Sequence, residues 1–122
     1  MVQSSTVPPG GKFVLADIAG PGTIQHIWLT FPEPGPSWLG KDGNADHSEL
    51  VLRMYWDGEA SPSVEVPLGD FFGIGHGVDK SFISIPIRVS SEGRARNCYW
   101  PMPFRKSARI TVSNDSDQEC RA

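Results

Sequence analysis

Between Glu49 and Leu68 the chain alternates apolar and polar residues on either side of one Asp-Gly pair, and this pattern restricts the fold more than any other feature of the 122 residues. Leu50, Leu52, Met54 and Trp56 fall on one side of an extended segment, with Glu49, Val51, Arg53 and Tyr55 on the other. That is the period of a strand with one buried face, and a helix of 3.6-residue period would scatter the same residues around its circumference. Asp57-Gly58 follows, a pair that tolerates positive φ, and Ser63–Leu68 returns with Val64, Val66 and Leu68 in phase. An antiparallel hairpin is therefore expected, with Leu50, Leu52, Met54, Val64, Val66 and Leu68 facing inward.

The rest of the chain is punctuated in the same way. Thirteen Gly and eleven Pro exclude long helices, because neither residue is tolerated in a helix interior. Lys12–Ile18 is a short apolar run closed by Gly20-Pro21-Gly22. Thr23–Phe31 alternates with large apolar groups on both faces, as in a strand covered on both sides. Pro32–Ser48 has no periodicity and reads as a loop, and Gly69–Val78 as a glycine-rich excursion where the backbone bends beside a sheet. Phe82–Val89 alternates again, interrupted by Pro86, and Ala95–Phe104 and Ser107–Ser113 complete about seven strands. The class expected is all-β, an antiparallel jelly-roll-like sandwich. It forms one domain over residues 13–114, after a flexible segment 1–12 and before a tail 115–122.

Charge and composition remove several functions. The net charge is −3 and no basic cluster exceeds Arg105-Lys106, so no nucleic-acid partner is expected. No apolar run approaches the length of a transmembrane helix, and no membrane partner is expected. Met1-Val2-Gln3-Ser4 opens without an apolar signal region, leaving the compartment open between bacterial cytoplasm and export with a leader outside these residues. Of the two cysteines, Cys98 is expected to be buried and Cys120 free on a frayed tail. Asn114-Asp115-Ser116 is a glycosylation sequon that matters only in a eukaryotic secretory route.

No metal or other cofactor is expected. Asp42, Asn44 and Asp46 have the opening spacing of a calcium loop, but His47 stands where glycine is needed and Arg53 where a bidentate glutamate belongs. His26, His47 and His76 lack ligand spacing. Gly73–Gly77 precedes neither a helix nor a Gly-Lys-Ser/Thr sequence, so it is no phosphate cradle. No nucleophile elbow is present. Among the carboxylates, Asp57 is explained by its turn and Glu59 and Glu65 by exposure. Asp70, among Gly69, Phe71, Phe72 and Gly73, is expected to cap backbone amides within Gly69–Gly77 or to line a site. Of the four tryptophans, Trp56 is in phase with the core, whereas Trp100 precedes Pro101 and Pro103, which break sheet bonding as at a strand end or a pocket rim.

Four stretches together resemble a known family: Ala19–Trp28, Tyr55-Trp56-Asp57-Gly58-Glu59, Pro62–Gly73 and Asn97–Ala108. Their order is similar to the N-terminal half of the family long catalogued as domain of unknown function 2961, now glycoside hydrolase family 172. The resemblance implies the first of two tandem jelly rolls. It also implies retaining action on furanosides, including fructofuranosides and arabinan, by two glutamates, in trimers or hexamers with pockets near subunit contacts. Those glutamates belong to the second jelly roll, which is not represented before Ala122. Asp70-Phe71-Phe72-Gly73 would correspond to an Asp-Tyr-Phe-Gly stretch of that second roll, and Gly69 then stands in the place of a catalytic glutamate. No catalytic residue carries over, and the candidate pocket-lining residues are Asp70, Phe71, Phe72, His76, Trp100 and Arg105. One expectation is thus a non-catalytic N-terminal half of a furanosidase-like glycoside hydrolase, inactive alone, whose partner is a second jelly roll or another copy. The other is a stand-alone carbohydrate-binding or assembly module using Trp28, Trp100 and Phe71-Phe72. Whether the chain is itself an enzyme is left open by the sequence.

Overall fold

The computed structural model describes residues 6–31, 48–75, 80–91 and 93–121. Within them the chain forms β1 (Thr6–Val7), β2 (Lys12–Ala19), β3 (Gly22–Ile24), β4 (Ile27–Thr30), β5 (Leu50–Trp56) and β6 (Val64–Pro67). One helical turn, α1 (Leu68–Phe71), follows, then β7 (Phe82–Ile83), β8 (Ile87–Ser90), β9 (Ala95–Cys98), β10 (Met102–Phe104), β11 (Ser107–Asn114) and β12 (Cys120–Arg121). The strands pair antiparallel in two four-stranded sheets, β2-β11-β5-β6 and β4-β9-β8-β7, with two-stranded ribbons β1-β12 and β3-β10. Counting only the larger sheets, the first strand pairs with the last (β2 with β11) and the second with the next to last (β4 with β9). Those nested pairs are the outer wraps of a jelly roll, whereas the inner strands close locally as a β5–β6 hairpin and a β7-β8-β9 meander. The chain is an all-β antiparallel sandwich.

The core lies between the two sheets. Leu50, Leu52, Met54, Ile110 and Val112 from one meet Ile27, Ile87, Val89 and Cys98 from the other. The expected hairpin is present, with Leu52 opposite Val66 and Met54 opposite Val64. Val64 and Val66 are only half-buried because β6 is the edge strand of its sheet. Asp57 and Gly58 both take positive φ, 55° and 81°, and the Glu59 amide donates to the Trp56 carbonyl at 3.0 Å. Pairing does not resume at once. The next bond runs from the Ser63 amide to the Met54 carbonyl at 2.8 Å, so residues 59–62 loop outward first.

Thr23–Phe31 differs from expectation. It breaks at Gln25-His26 into two strands that join different partners, β3 with β10 and β4 with β9. Ile27 and Phe31 are buried, but Trp28 is 46% exposed, so this strand is covered on one face among the described residues. Apolar groups on both faces of a strand report its hydrophobicity and not what covers it.

The glycine-rich segment contains a helical turn that no periodicity announced. Gly73 follows it with φ 76°, and two backbone bonds close the turn: the Gly73 amide to the Asp70 carbonyl and the Ile74 amide to the Gly69 carbonyl, each 3.0 Å. This is a Schellman closure, in which a left-handed glycine lets the last carbonyls find amides. The sharp bend expected there is supplied by backbone alone.

The chain ends come together. Thr6 and Val7 pair with Arg121 and Cys120, and Asn114 is fully buried, its Nδ2 donating to the Val7 carbonyl at 3.0 Å and the Gln118 carbonyl at 2.6 Å. Its Oδ1 accepts from the Ser116 amide at 3.1 Å and from Ser116 Oγ at 2.6 Å. Cys120 is therefore not on a frayed tail but in the core, and the sequon asparagine is locked inside the fold. The Pro32–Ser48 loop, with Trp38, Asp42, Asn44, Asp46 and His47, falls outside the described residues apart from Ser48.

Candidate functional site

Among the described residues, those singled out from the sequence fall in the core, beside α1 and in the β10–β11 turn. Phe72 is fully buried and belongs to the core, so it cannot line an open site. Phe71 packs edge-on to Phe72, with ring centroids 5.0 Å apart, and edge-on to Trp100 at 6.5 Å. Phe71 and Trp100 thus share one place at the end of the sandwich. Asp70 is exposed on α1, and its carboxylate makes no hydrogen bond to a described residue. Among the described residues the turn is closed by the Gly73 and Ile74 amides donating to the Asp70 and Gly69 carbonyls, and not by the expected carboxylate cap. Arg105 lies in the β10–β11 turn, where its backbone, not its guanidinium, is engaged. His76 lies outside the described residues.

Among the described residues, the acidic side chain with the most extensive bonding is that of Asp57. Its Oδ1 accepts the amides of Lys106 at 2.6 Å, Arg105 at 2.9 Å and Ser107 at 3.3 Å, residues about fifty positions away in sequence. The Lys106 amide is the main reason this carboxyl titrates below the ordinary range, with the Ser107 and Arg105 amides adding to it. One residue therefore makes the first hairpin turn with its backbone and pins the second turn with its side chain. Glu65 is also employed: Arg53 Nε donates to its Oε2 at 2.6 Å, while Arg53 Nη1 donates to Ser113 Oγ at 2.6 Å.

A different constellation appears on the outer face of β4 and β9. His26 and Tyr99 stack almost parallel, with centroids 4.5 Å apart and planes 8° from parallel. Asn97 Oδ1 accepts from His26 Nε2 at 3.0 Å and from the Tyr99 hydroxyl at 3.5 Å, and Asn97 Nδ2 donates to the Arg88 carbonyl at 3.4 Å. Register sets Trp28 directly opposite Asn97, and Asn97 opposite Arg88. His26 and Trp28 share one phase of Thr23–Phe31, and Asn97 and Tyr99 one phase of Ala95–Phe104, but nothing in the sequence joins the two pairs. The only available signal was the two-residue spacing within each segment. The 71 positions between His26 and Asn97 hid the rest.

The model of the GH172 domain-like family matches this chain over residues 1–122. The chain belongs to the GH172 domain-like family. No curated protein matches it. Membership relates the domain to glycoside hydrolases, and the all-β sandwich agrees with the jelly-roll-like architecture that the resemblance implied.

Two further surfaces of this GH172 domain bear on its chemistry. Edge strand β7 and the turn after it project Ile83, 74% exposed, and Ile85, 99% exposed, beside the partly exposed Phe82. On the opposite sheet, Lys12, Asp17, Tyr55, Glu59, Arg109 and Thr111 line an open concavity of about 420 Å³. Among the described residues no three His, Cys, Asp or Glu side chains are grouped to hold a metal, and no helix is long and apolar enough to cross a membrane.

Proposed function

We propose that this GH172 domain is the non-catalytic first half of a furanosidase-like glycoside hydrolase, docking through its β7 edge against the jelly roll that carries the chemistry or against another copy. The observation that carries the reading is the apolar edge: Ile83 and Ile85 stand 74% and 99% exposed at a sheet border. An edge of that kind invites pairing or aggregation unless something covers it.

The carboxylates support the same assignment. A retaining glycosidase needs two carboxyl groups about 5–5.5 Å apart, one with a raised pKa to serve as acid. Asp57 is tuned the other way by three amides and Glu65 is held by Arg53, while the resemblance sets Gly69 where the family has a catalytic glutamate. The test is to purify the 122-residue chain and assay arabinofuranosides and fructofuranosides, alone and with a polypeptide carrying a second jelly roll. Silence alone, turnover on mixing, and loss of that rescue in an Ile83→Asp, Ile85→Asp variant are the expected results. Turnover by the chain alone that disappears in a Glu65→Gln, Asp70→Asn double variant would refute the assignment.

A further inference from the structure

The outer face of β4 and β9 holds aromatic side chains still while leaving them open to solvent. The His26 and Tyr99 rings lie flat against each other at 4.5 Å, and both are bonded to the Asn97 amide oxygen. That oxygen only accepts, so in the neutral ring His26 Nε2 carries the proton and Nδ1 is left as an acceptor. Trp28, 46% exposed, stands across the strand pair from Asn97, within reach of the same block. Arg88 follows Asn97 in the next strand and is exposed. Fixing exposed side chains costs rotamer freedom that an idle surface never recovers.

We propose that His26, Trp28, Asn97 and Tyr99 form a platform for a neutral pyranose chain. A glucose-type ring carries axial C–H groups on both faces and a galactose-type ring an apolar patch on one, either of which stacks on an indole or phenol ring while the hydroxyls stand around the rim. The platform supplies both complements: indole and phenol rings for the C–H face, and the Tyr99 hydroxyl, His26 Nδ1 and the Arg88 guanidinium for the rim. A furanose puckers and sets hydroxyls on both faces, so it stacks less well. A protein partner is disfavoured because the centre of the block is an amide and not an apolar side chain. The row Trp28, Asn97, Arg88, Ile83 crosses three strand spacings, about 14 Å, so a single ring stacked on Trp28 stops short of Ile83. The inference goes beyond the role proposed above, since it requires neither a second half nor catalysis.

The full chain is titrated with β-linked glucopyranose and galactopyranose tetrasaccharides and with an arabinofuranose tetrasaccharide. Tryptophan fluorescence gives affinity and amide chemical shifts locate the site. Saturable binding of at least one pyranose probe is expected, with shifts centred on Trp28 and Tyr99 and the furanose weaker by about tenfold or more. Trp28→Ala and Tyr99→Ala should each weaken binding by a similar factor with an unchanged far-UV spectrum, while Val14→Ser on the opposite sheet should leave it unaltered. No saturable response to either pyranose, equal or tighter furanose binding, or full binding by a folded Trp28→Ala variant overturns the proposal. Hydrolysis is not read, so either proposal can fail without the other.

Discussion

Replacing Leu52 by alanine deletes the branched end of a side chain that is fully buried at the middle of β5. At about 0.8 kcal/mol per buried methylene-sized group, the lost transfer free energy alone is about 2 kcal/mol. The site has little room to relax, because Val66 and Val112 flank Leu52 in register on either side and the second sheet closes over it. The void should therefore persist and bring the total to about 3–4 kcal/mol, inside the range of about 2–5 kcal/mol for such truncations. Urea unfolding followed by tryptophan fluorescence measures this as a lower midpoint at constant slope. Ile85→Ala is the internal control, since Ile85 is 99% exposed and should change stability by no more than about 0.5 kcal/mol. A Leu52→Ala loss under about 1 kcal/mol, or an Ile85→Ala loss as large as that of Leu52→Ala, would refute the placement of the core.

Asp57 titrates below the usual carboxylate range, chiefly through the Lys106 amide. Its stabilisation is thus complete above the unfolded value of about 3.9 and vanishes as pH falls through the folded value. Asp57→Ala should accordingly unfold at lower urea than wild type near neutral pH, with the two midpoints converging in strong acid; a constant difference at every pH would count against the three-amide clamp. Burial pushes the Cys120 thiol up to about 11, so the protonated form is favoured by folding, and that stability is lost as pH rises from the unfolded value toward the folded one. A thiol reagent at neutral pH should leave native Cys120 unlabelled and react promptly in urea; rapid native labelling would contradict its burial. Asp70→Asn and Asp70→Ala should share the wild-type urea midpoint, because the turn is closed by carbonyls of Gly69 and Asp70, and a marked loss in the alanine variant alone would restore the capping role.

Much of the sandwich was legible in short windows. Leu50, Leu52 and Met54 alternate with Glu49, Val51, Arg53 and Tyr55, and the strand period is a local property, so β5, β6 and the positive-φ turn at Asp57-Gly58 could be read directly. Pro86 and Pro101 likewise fall where strands stop, since proline removes a ladder donor. Tertiary structure decided whatever depended on which strands meet. Trp28 looked like a residue between layers and became an exposed ring, because strand order, and not alternation, determines what covers a face. Cys120 looked like a tail residue and became core once β12 paired with β1. Arg96 was read only as part of a strand, yet it is fully buried, with its guanidinium 5.2 Å from the Phe31 ring centroid and Nε donating to the Gly93 carbonyl at 3.0 Å. Asp57 was correctly assigned to a turn, but its hold on Lys106 spans 49 positions, and the His26, Asn97 and Tyr99 cluster spans more. Periodicity tells a segment which of its faces is apolar; only the pairing of distant strands determines which side chains stand together, and in this domain the bonded clusters are built from those long-range pairs.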